Sequence, residues 1–331
     1  MRETSEIRIP ANGIRSLVWD GESLVDWVNG GERHFLSGET SPARVRYAYP
    51  FDAVASLAGS NFSVIYTRSG TKGLVLRNGE VIRELNRSFY HANVYEYPVV
   101  LFRLPSGREV LAHCPDDYCR LEIEDLATGE LLTKSTFRKP RDIIHSRLAV
   151  SPDGRYLLSA GWLWHPIDCL HLYDIGMALE DPTHLDDAGT GLNACAEESS
   201  ATFFPDGRLA MALRGDIDSE AVPSDQGELR TFDPKHPDEA TVLSHVGRLG
   251  TIAAMGSHHL LAMYDHPRLI DVRTGIEVLG WQQLKSGLQT SSILMSEPDI
   301  PVIAVDPEGH RFALADDDGI TVIECRVHPY E

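Results

Sequence analysis

The chain has 331 residues, with 49 acidic against 30 basic side chains, a formal net charge of −19 and a hydrophobic share of 42%. That composition buries a core, which excludes wholesale disorder and collagen-like sequence. Its longest apolar runs, such as Tyr97–Leu101 and Ile300–Val305, fall well short of the roughly 20 residues of a membrane-spanning helix. The opening residues Met1-Arg2-Glu3-Thr4-Ser5-Glu6 carry acids and no apolar leader stretch. Five scattered cysteines fit reduced thiols better than a disulfide framework, so the sequence reads as cytoplasmic.

Taken in chain order, Glu6–Pro10 alternates polar and apolar and stands before a repeat. Seven glycine turns then follow short apolar runs: Asp20-Gly21, Ala58-Gly59, Ser106-Gly107, Pro152-Asp153-Gly154, Pro205-Asp206-Gly207, Met255-Gly256 and Pro307-Glu308-Gly309. Successive turns are 38 to 53 residues apart, about 48 on average, which is the length of a four-stranded repeat unit. Pro presets φ, Asp bonds its own backbone and Gly accepts positive φ, so these are tight hairpin turns between strands. The strands expected after them are Ser23–Val28, Phe62–Tyr66, Arg108–His113, Arg155–Ala160, Arg208–Leu213, His259–Tyr264 and Arg311–Ala315. Third strands end in second turns, as in Arg77-Asn78-Gly79, Ala127-Thr128-Gly129 and Arg273-Thr274-Gly275, and fourth strands such as Ala43–Ala48 and Glu80–Asn86 complete each unit. Helical spacing is nearly absent, with one short turn at Met177–Leu179.

Seven four-stranded antiparallel units predict an all-β fold, a seven-bladed β-propeller in which radial repetition protects the strand edges, with residues 1–331 as one domain. The last unit supplies only Pro301–Asp306, His310–Asp316 and Ile320–Val327, three strands. Residues 6–10 are therefore expected to complete the last blade. The segment Ser151-Pro152-Asp153-Gly154-Arg155-Tyr156-Leu157-Leu158-Ser159, echoed by Pro205-Asp206-Gly207-Arg208-Leu209 and Pro307-Glu308-Gly309-His310-Arg311-Phe312, resembles the repeats of WD40-like and YVTN-type bacterial propellers. Tyr173-Asp174 stands where such repeats place Trp-Asp, whereas Gly-His and a regular Trp-Asp pair are not in register, as in a divergent relative. The resemblance implies the fold and leaves the function open.

In such blades the short glycine turns lie on one face, and the second-to-third-strand and blade-to-blade loops on the other. Loops on a rigid scaffold carry binding residues, so the long-loop face is the candidate functional face. Aromatic residues gather there: Tyr47, Tyr49 and Phe51, then Phe89, Tyr90, His91, Tyr95 and Tyr97, then Trp162, Trp164 and His165. Rings of this kind act as interface anchors, with Tyr97 and Phe51, next to first strands, read as packing residues. Asp116 and Asp117, then Asp216, Asp218 and Glu220, then Asp316, Asp317 and Asp318 add an acidic rim. Such a rim repels nucleic acid and favours a basic partner. Arg138, Lys139 and Arg141 form one compact basic cluster.

Metal and catalytic signals are weak. Asp216, Asp218 and Glu220 alternate as in a calcium loop but lack its glycine and its twelfth-position Glu. His113, Cys114 and Cys119 lack a second cysteine pair for zinc. No nucleophile elbow or phosphate loop is present, so no metal, cofactor or catalytic residue is assigned. The expectation is a monomeric, non-catalytic propeller that binds a basic protein partner, without membrane or nucleic-acid binding. It resembles immunity proteins that neutralise basic toxin domains. The alternative is a lactonase-like hydrolase or a small-ligand propeller with its site at the channel mouth, to which similarity in length and repeat style would bring His145, Arg147, Glu197 and His91.

Overall fold

The computed structural model describes residues 2–164, 167–187, 194–215, 227–294 and 301–327. Seven antiparallel sheets follow one another along the chain as the blades of a seven-bladed β-propeller. Blade one is Val18–Asp20, Ser23–Asp26, Glu32–Phe35 and Thr40–Ser41, and blade two is Ala53–Ser56, Phe62–Tyr66, Lys72–Arg77 and Glu80–Asn86. Blade three is Val99–Arg103, Glu109–His113 and Glu122–Asp125, with its fourth strand reduced to a single bridge from Glu124 to Leu131. Blade four is Leu148–Val150, Tyr156–Trp164, Ile167–Asp174 and Ala194–Ala196; blade five is Glu198–Phe203, Leu209–Arg214, Gly227–Phe232 and Thr241–Val246. Blade six is Ile252–Met255, His259–Ala262, Arg268–Asp271 and Glu277–Gly280.

Blade seven closes the ring. Its strands Val302–Asp306, Arg311–Asp316 and Gly319–Val327 are joined by the amino-terminal strand Arg2–Ile9, which pairs antiparallel with Gly319–Val327 from Arg2 opposite Val327 to Ile9 opposite Ile320. The short alternating segment read from the sequence is thus the inner part of a longer strand. Ile9 is 1% exposed and packs among Leu17, Leu24, Ala313, Ile320 and Val322, so both ends of the chain are held in one core.

The turns show why the repeat is legible. In Ser151–Gly154 the Ser151 hydroxyl accepts from the Tyr156 amide at 2.9 Å and donates to Asp153 at 2.6 Å, while the Gly154 amide donates to Ser151 O. Gly154 sits at φ 70°, and a Cβ there would lie 2.5 Å from the Arg103 carbonyl of blade three. Only glycine fits that approach. Blade seven differs: the left-handed residue is His310 (φ 51°), not Gly309.

Each blade packs its inner face against the next, so the core is a chain of clusters rather than one centre. Two expectations are corrected. Blade one's fourth strand is Thr40–Ser41 rather than 43–48, the two-residue strand that the short 38-residue interval leaves room for. The single helical turn is a six-residue helix, Ile175–Glu180, capped by the Asp174 carboxylate accepting from the Met177 amide at 3.1 Å. That helix and the following Pro182–Leu185 turn bury Ile175, Ala178 and Leu185 against blades three and four. Arg138 belongs to the same join. Its guanidinium is fully buried, donates to Asp186 at 2.6 Å and faces Glu122, so this part of the basic cluster is structural.

Candidate functional site

Two features meet on the long-loop face: an aromatic rim over blades two to four, and a strap across the channel mouth. The rim is built from blade-to-blade and second-to-third-strand loops. Tyr90 stacks on Tyr118 with centroids 4.4 Å apart, Tyr90 meets the edge of His91 at 4.4 Å, and His91 meets Trp162 at 5.6 Å. The Tyr118 hydroxyl donates to Asp142 at 2.6 Å, and its proton is held well above the usual phenol range first by that bond and then by burial. Around this row Phe89 is 85% exposed, Phe137 80% and Trp164 62%, with Tyr90 and Leu163 also open to solvent. Asp116 and Asp117, in the loop that carries Tyr118, are exposed beside it.

The structure sorts the residues picked from sequence. Phe89, Tyr90, Trp164, Asp116 and Asp117 share the rim of blades two to four. Tyr49 is exposed on the blade one to two loop and packs at 5.0 Å on the buried Phe51. Asp317 is exposed but lies on blade seven, across the ring. Tyr95 is a correction: it is 0% exposed, with the Arg87 guanidinium 4.4 Å over its ring, and so supports the face rather than presenting itself. Trp162, 9% exposed, is a correction of the same kind, packed with Tyr95 and Ile144 beneath the rim. Phe51 and Tyr97 are buried packing residues, as expected. His165, Asp216, Asp218 and Glu220 lie outside the described residues.

The strap was not visible in the sequence. Ser286–Leu294 leaves blade six, where the Ser286 amide donates to Asp265 O at 2.9 Å and the Ser286 hydroxyl to Met263 O at 3.0 Å. It crosses the mouth and lands on blades three and four. There the Leu294 amide donates to Val94 O at 2.7 Å, Ile293 bridges to Tyr95, and Ser292 meets Asp168. Asp168 is fully buried in the third strand of blade four. It accepts from the Ser292 amide (2.8 Å), the Ser292 hydroxyl (2.5 Å) and the Ser199 hydroxyl (3.1 Å), and pairs with Arg147 at 3.2 Å. Burial raises its pKa, and Arg147 and the hydroxyls act against that rise. A signal did exist: Asp168 is a carboxylate flanked by Ile167, Cys169 and Leu170 at the start of its strand, and buried charges require partners.

Beneath the strap is a chamber of about 370 Å³ whose walls come from the first strands and their approaches. Ala53, Ala149, Ala201, Ser200 and Thr251 are too small to fill it. Its charged lining is Arg15, Asp52, Arg68, Glu96 and Arg147, and no histidine is among the described residues that line it. The Tyr66 hydroxyl donates to Glu96 at 3.0 Å, and Tyr66 is held un-ionised chiefly by burial and then by Glu96. The Arg68 amide donates to Asp52 at 2.7 Å; its guanidinium pKa is raised, because the Glu96, Tyr66 and Asp52 charges outweigh the opposing, and largest, effect of burial. Of the four residues expected near the channel, only Arg147 lines this chamber. His145 is buried within blade four, His91 is on the rim and Glu197 is exposed. A second, more open chamber of about 670 Å³ continues toward the turn face, with Glu96 and Arg147 lining both.

Comparison with known proteins agrees with the fold and stops there. No protein-family model matches the chain, and no curated protein matches it in sequence. Among solved structures it is similar to the Kuenenia stuttgartiensis hydrazine synthase, at 14% identity and TM-score 0.58, over 97% of this chain and 98% of that one. At that identity the likeness is one of fold, since propellers host unrelated functions. The chain is a divergent seven-bladed β-propeller, and no helix among the described residues is long and apolar enough to cross a membrane.

Proposed function

We propose that this protein is a non-catalytic, monomeric cytoplasmic binding propeller that docks a basic protein partner on the aromatic rim of blades two to four. One observation carries the reading: the stacked Tyr90–Tyr118 pair with Phe89, Phe137 and Trp164 exposed around it and Asp116 and Asp117 alongside. Exposed rings gathered on one side of a rigid scaffold supply contact area at small ordering cost, and the flanking acids select for positive charge. The net charge of −19 extends that preference to long range and quickens encounter at low salt. An acidic occluding binder of this build suits a basic toxin domain, as immunity proteins do.

The experiment captures partners from host lysate at low and high salt, then repeats binding with the purified partner. Phe89→Ala and Trp164→Ala, each a potential hot spot, are expected to weaken binding by about 2 kcal/mol, roughly thirtyfold. Asp116→Asn with Asp117→Asn should slow association and flatten its salt dependence. Undiminished binding by the doubly truncated aromatic variant would sink the proposal.

A further inference from the structure

The chamber beneath the strap has a chemistry of its own, separate from the rim. Its volume of about 370 Å³ is more than ten times the roughly 30 Å³ share of a water molecule and falls in the range of small-ligand sites. The donors inside it are unevenly used. Arg147 spends its guanidinium on Ala160 O at 3.0 Å, Ser199 O at 2.8 Å and Asp168. Arg15 also lines the chamber. Its amide is fixed by Asp26 at 2.8 Å, which anchors the backbone, yet its guanidinium has no hydrogen-bond or ion-pair partner among the described residues. The Arg68 guanidinium faces Asp52 and Glu96 electrostatically and likewise makes no hydrogen bond among the described residues.

A planar guanidinium with open donors in a partly enclosed site fits a carboxylate, which it can bind through two parallel hydrogen bonds. The other walls, Leu148, Ala149, Ala201, Ile252 and Val302, are apolar and suit a hydrocarbon body. Arg147 is balanced by Asp168, and Arg15 and Arg68 together balance Asp52 and Glu96, so the lining is neutral overall; the open donors of Arg15 and Arg68 give a single carboxylate its place, and a second negative charge is disfavoured.

We propose that this chamber binds a small organic monocarboxylate, its carboxylate on Arg15 and Arg68 and its apolar part against the first strands of blades four to seven. The strap roofs the site on the long-loop face, so loosening the Ser292–Asp168 contact widens the route of entry from that side. This site does not depend on the docking reading above.

The test titrates butyrate, hexanoate and benzoate, each beside its neutral amide, into the full-length protein by calorimetry and thermal melting. The expected result is one-to-one binding of at least one acid and not of its amide. Arg15→Gln and Arg68→Gln should each weaken that binding roughly ten- to hundredfold, the loss of a charge-assisted hydrogen bond. Unliganded melts show whether each variant folds, and Arg15→Lys provides a second, milder substitution expected to retain part of the affinity. Ser292→Ala should speed association and release together and leave the affinity within about threefold, as loosening a cover does. Binding of none of the acids, equal binding of acid and amide, or full affinity in both glutamine variants would overturn the proposal. Phe89→Ala with Trp164→Ala should leave acid binding intact, so the two sites fail independently.

Discussion

Truncating the closing strand tests the architecture most directly. Ile9 is 1% exposed, stands opposite Ile320 and packs into the core shared by blades seven and one. Ile9→Ala at such a site costs about 2–5 kcal/mol through lost burial and the cavity left behind. With unfolding entropy of about 2.1 cal/mol/K per residue, a chain of 331 residues changes stability by about 0.7 kcal/mol per degree near its midpoint. The expected fall in Tm is then about 3–7 °C. The neighbouring Arg8 has a side chain 56% exposed, and Arg8→Ala should move stability by no more than about 0.5 kcal/mol. Deleting residues 1–12 removes Ile9 and the whole outer ladder, leaving Gly319–Val327 as an open edge, and should lower Tm well beyond the point variant. Differential scanning calorimetry on the three variants decides the matter. If Ile9→Ala and the deletion melt like the unaltered protein, the two ends of the chain are not held in one sheet and the closure is refuted.

Further outcomes follow from the buried titratable groups. Burial pulls the His145 imidazole down to about 3, with His171 adding to it, and burial pulls His171 down to about 4. His145 Nε2–H donates to Cys119 O at 3.2 Å and Nδ1 accepts from Ser159 at 3.0 Å, an arrangement made for the neutral ring. Below about 6.5 the unfolded chain takes up protons that the folded one does not, so the stability these histidines confer is present above that pH and lost as pH falls toward 4 and then 3. Between pH 7.5 and 5.5 the loss is about 3 kcal/mol for the two together, readable in urea titrations, and a flat profile over that window would contradict it. Cys195, on the exposed edge of blade four, stands in register with Cys169, their sulfurs 2.7 Å apart. The Cys169 thiol donates to Cys195 and draws its pKa down to about 7, while Cys169 itself is raised by that same contact and by burial. Iodoacetamide should therefore modify Cys195 first, with a midpoint near pH 7 that Cys169→Ser moves upward; mass spectrometry showing Cys114 or Cys325 labelled first would be the contrary result.

The rim was half legible in the sequence. Exposed rings in long loops, such as Phe89, Tyr90 and Trp164, could be picked because loop position follows from the turn pattern. Tyr95 and Trp162 could not be told from them, because burial there is decided by Arg87 stacking on Tyr95 and by Ile293 arriving from the far side of the ring. The chamber was legible only as a channel. Arg15, Arg68 and Arg147 are far apart along the chain, and nothing local marks them as neighbours across the mouth.

The sequence by itself determined the blades. Turn chemistry at Asp-Gly and Pro-Asp-Gly and the period-two alternation between them are local, so seven hairpin units, their strands and the missing strand of the last one can be read without knowing any distant contact. Only the tertiary structure decided which loop roofs the channel and which charges it encloses. Asp168 and Ser292 are 124 residues apart, and their pairing exists because ring closure brings the loop after blade six within reach of blade four. A buried carboxylate needs donors, and the fold rather than the neighbouring sequence supplies them.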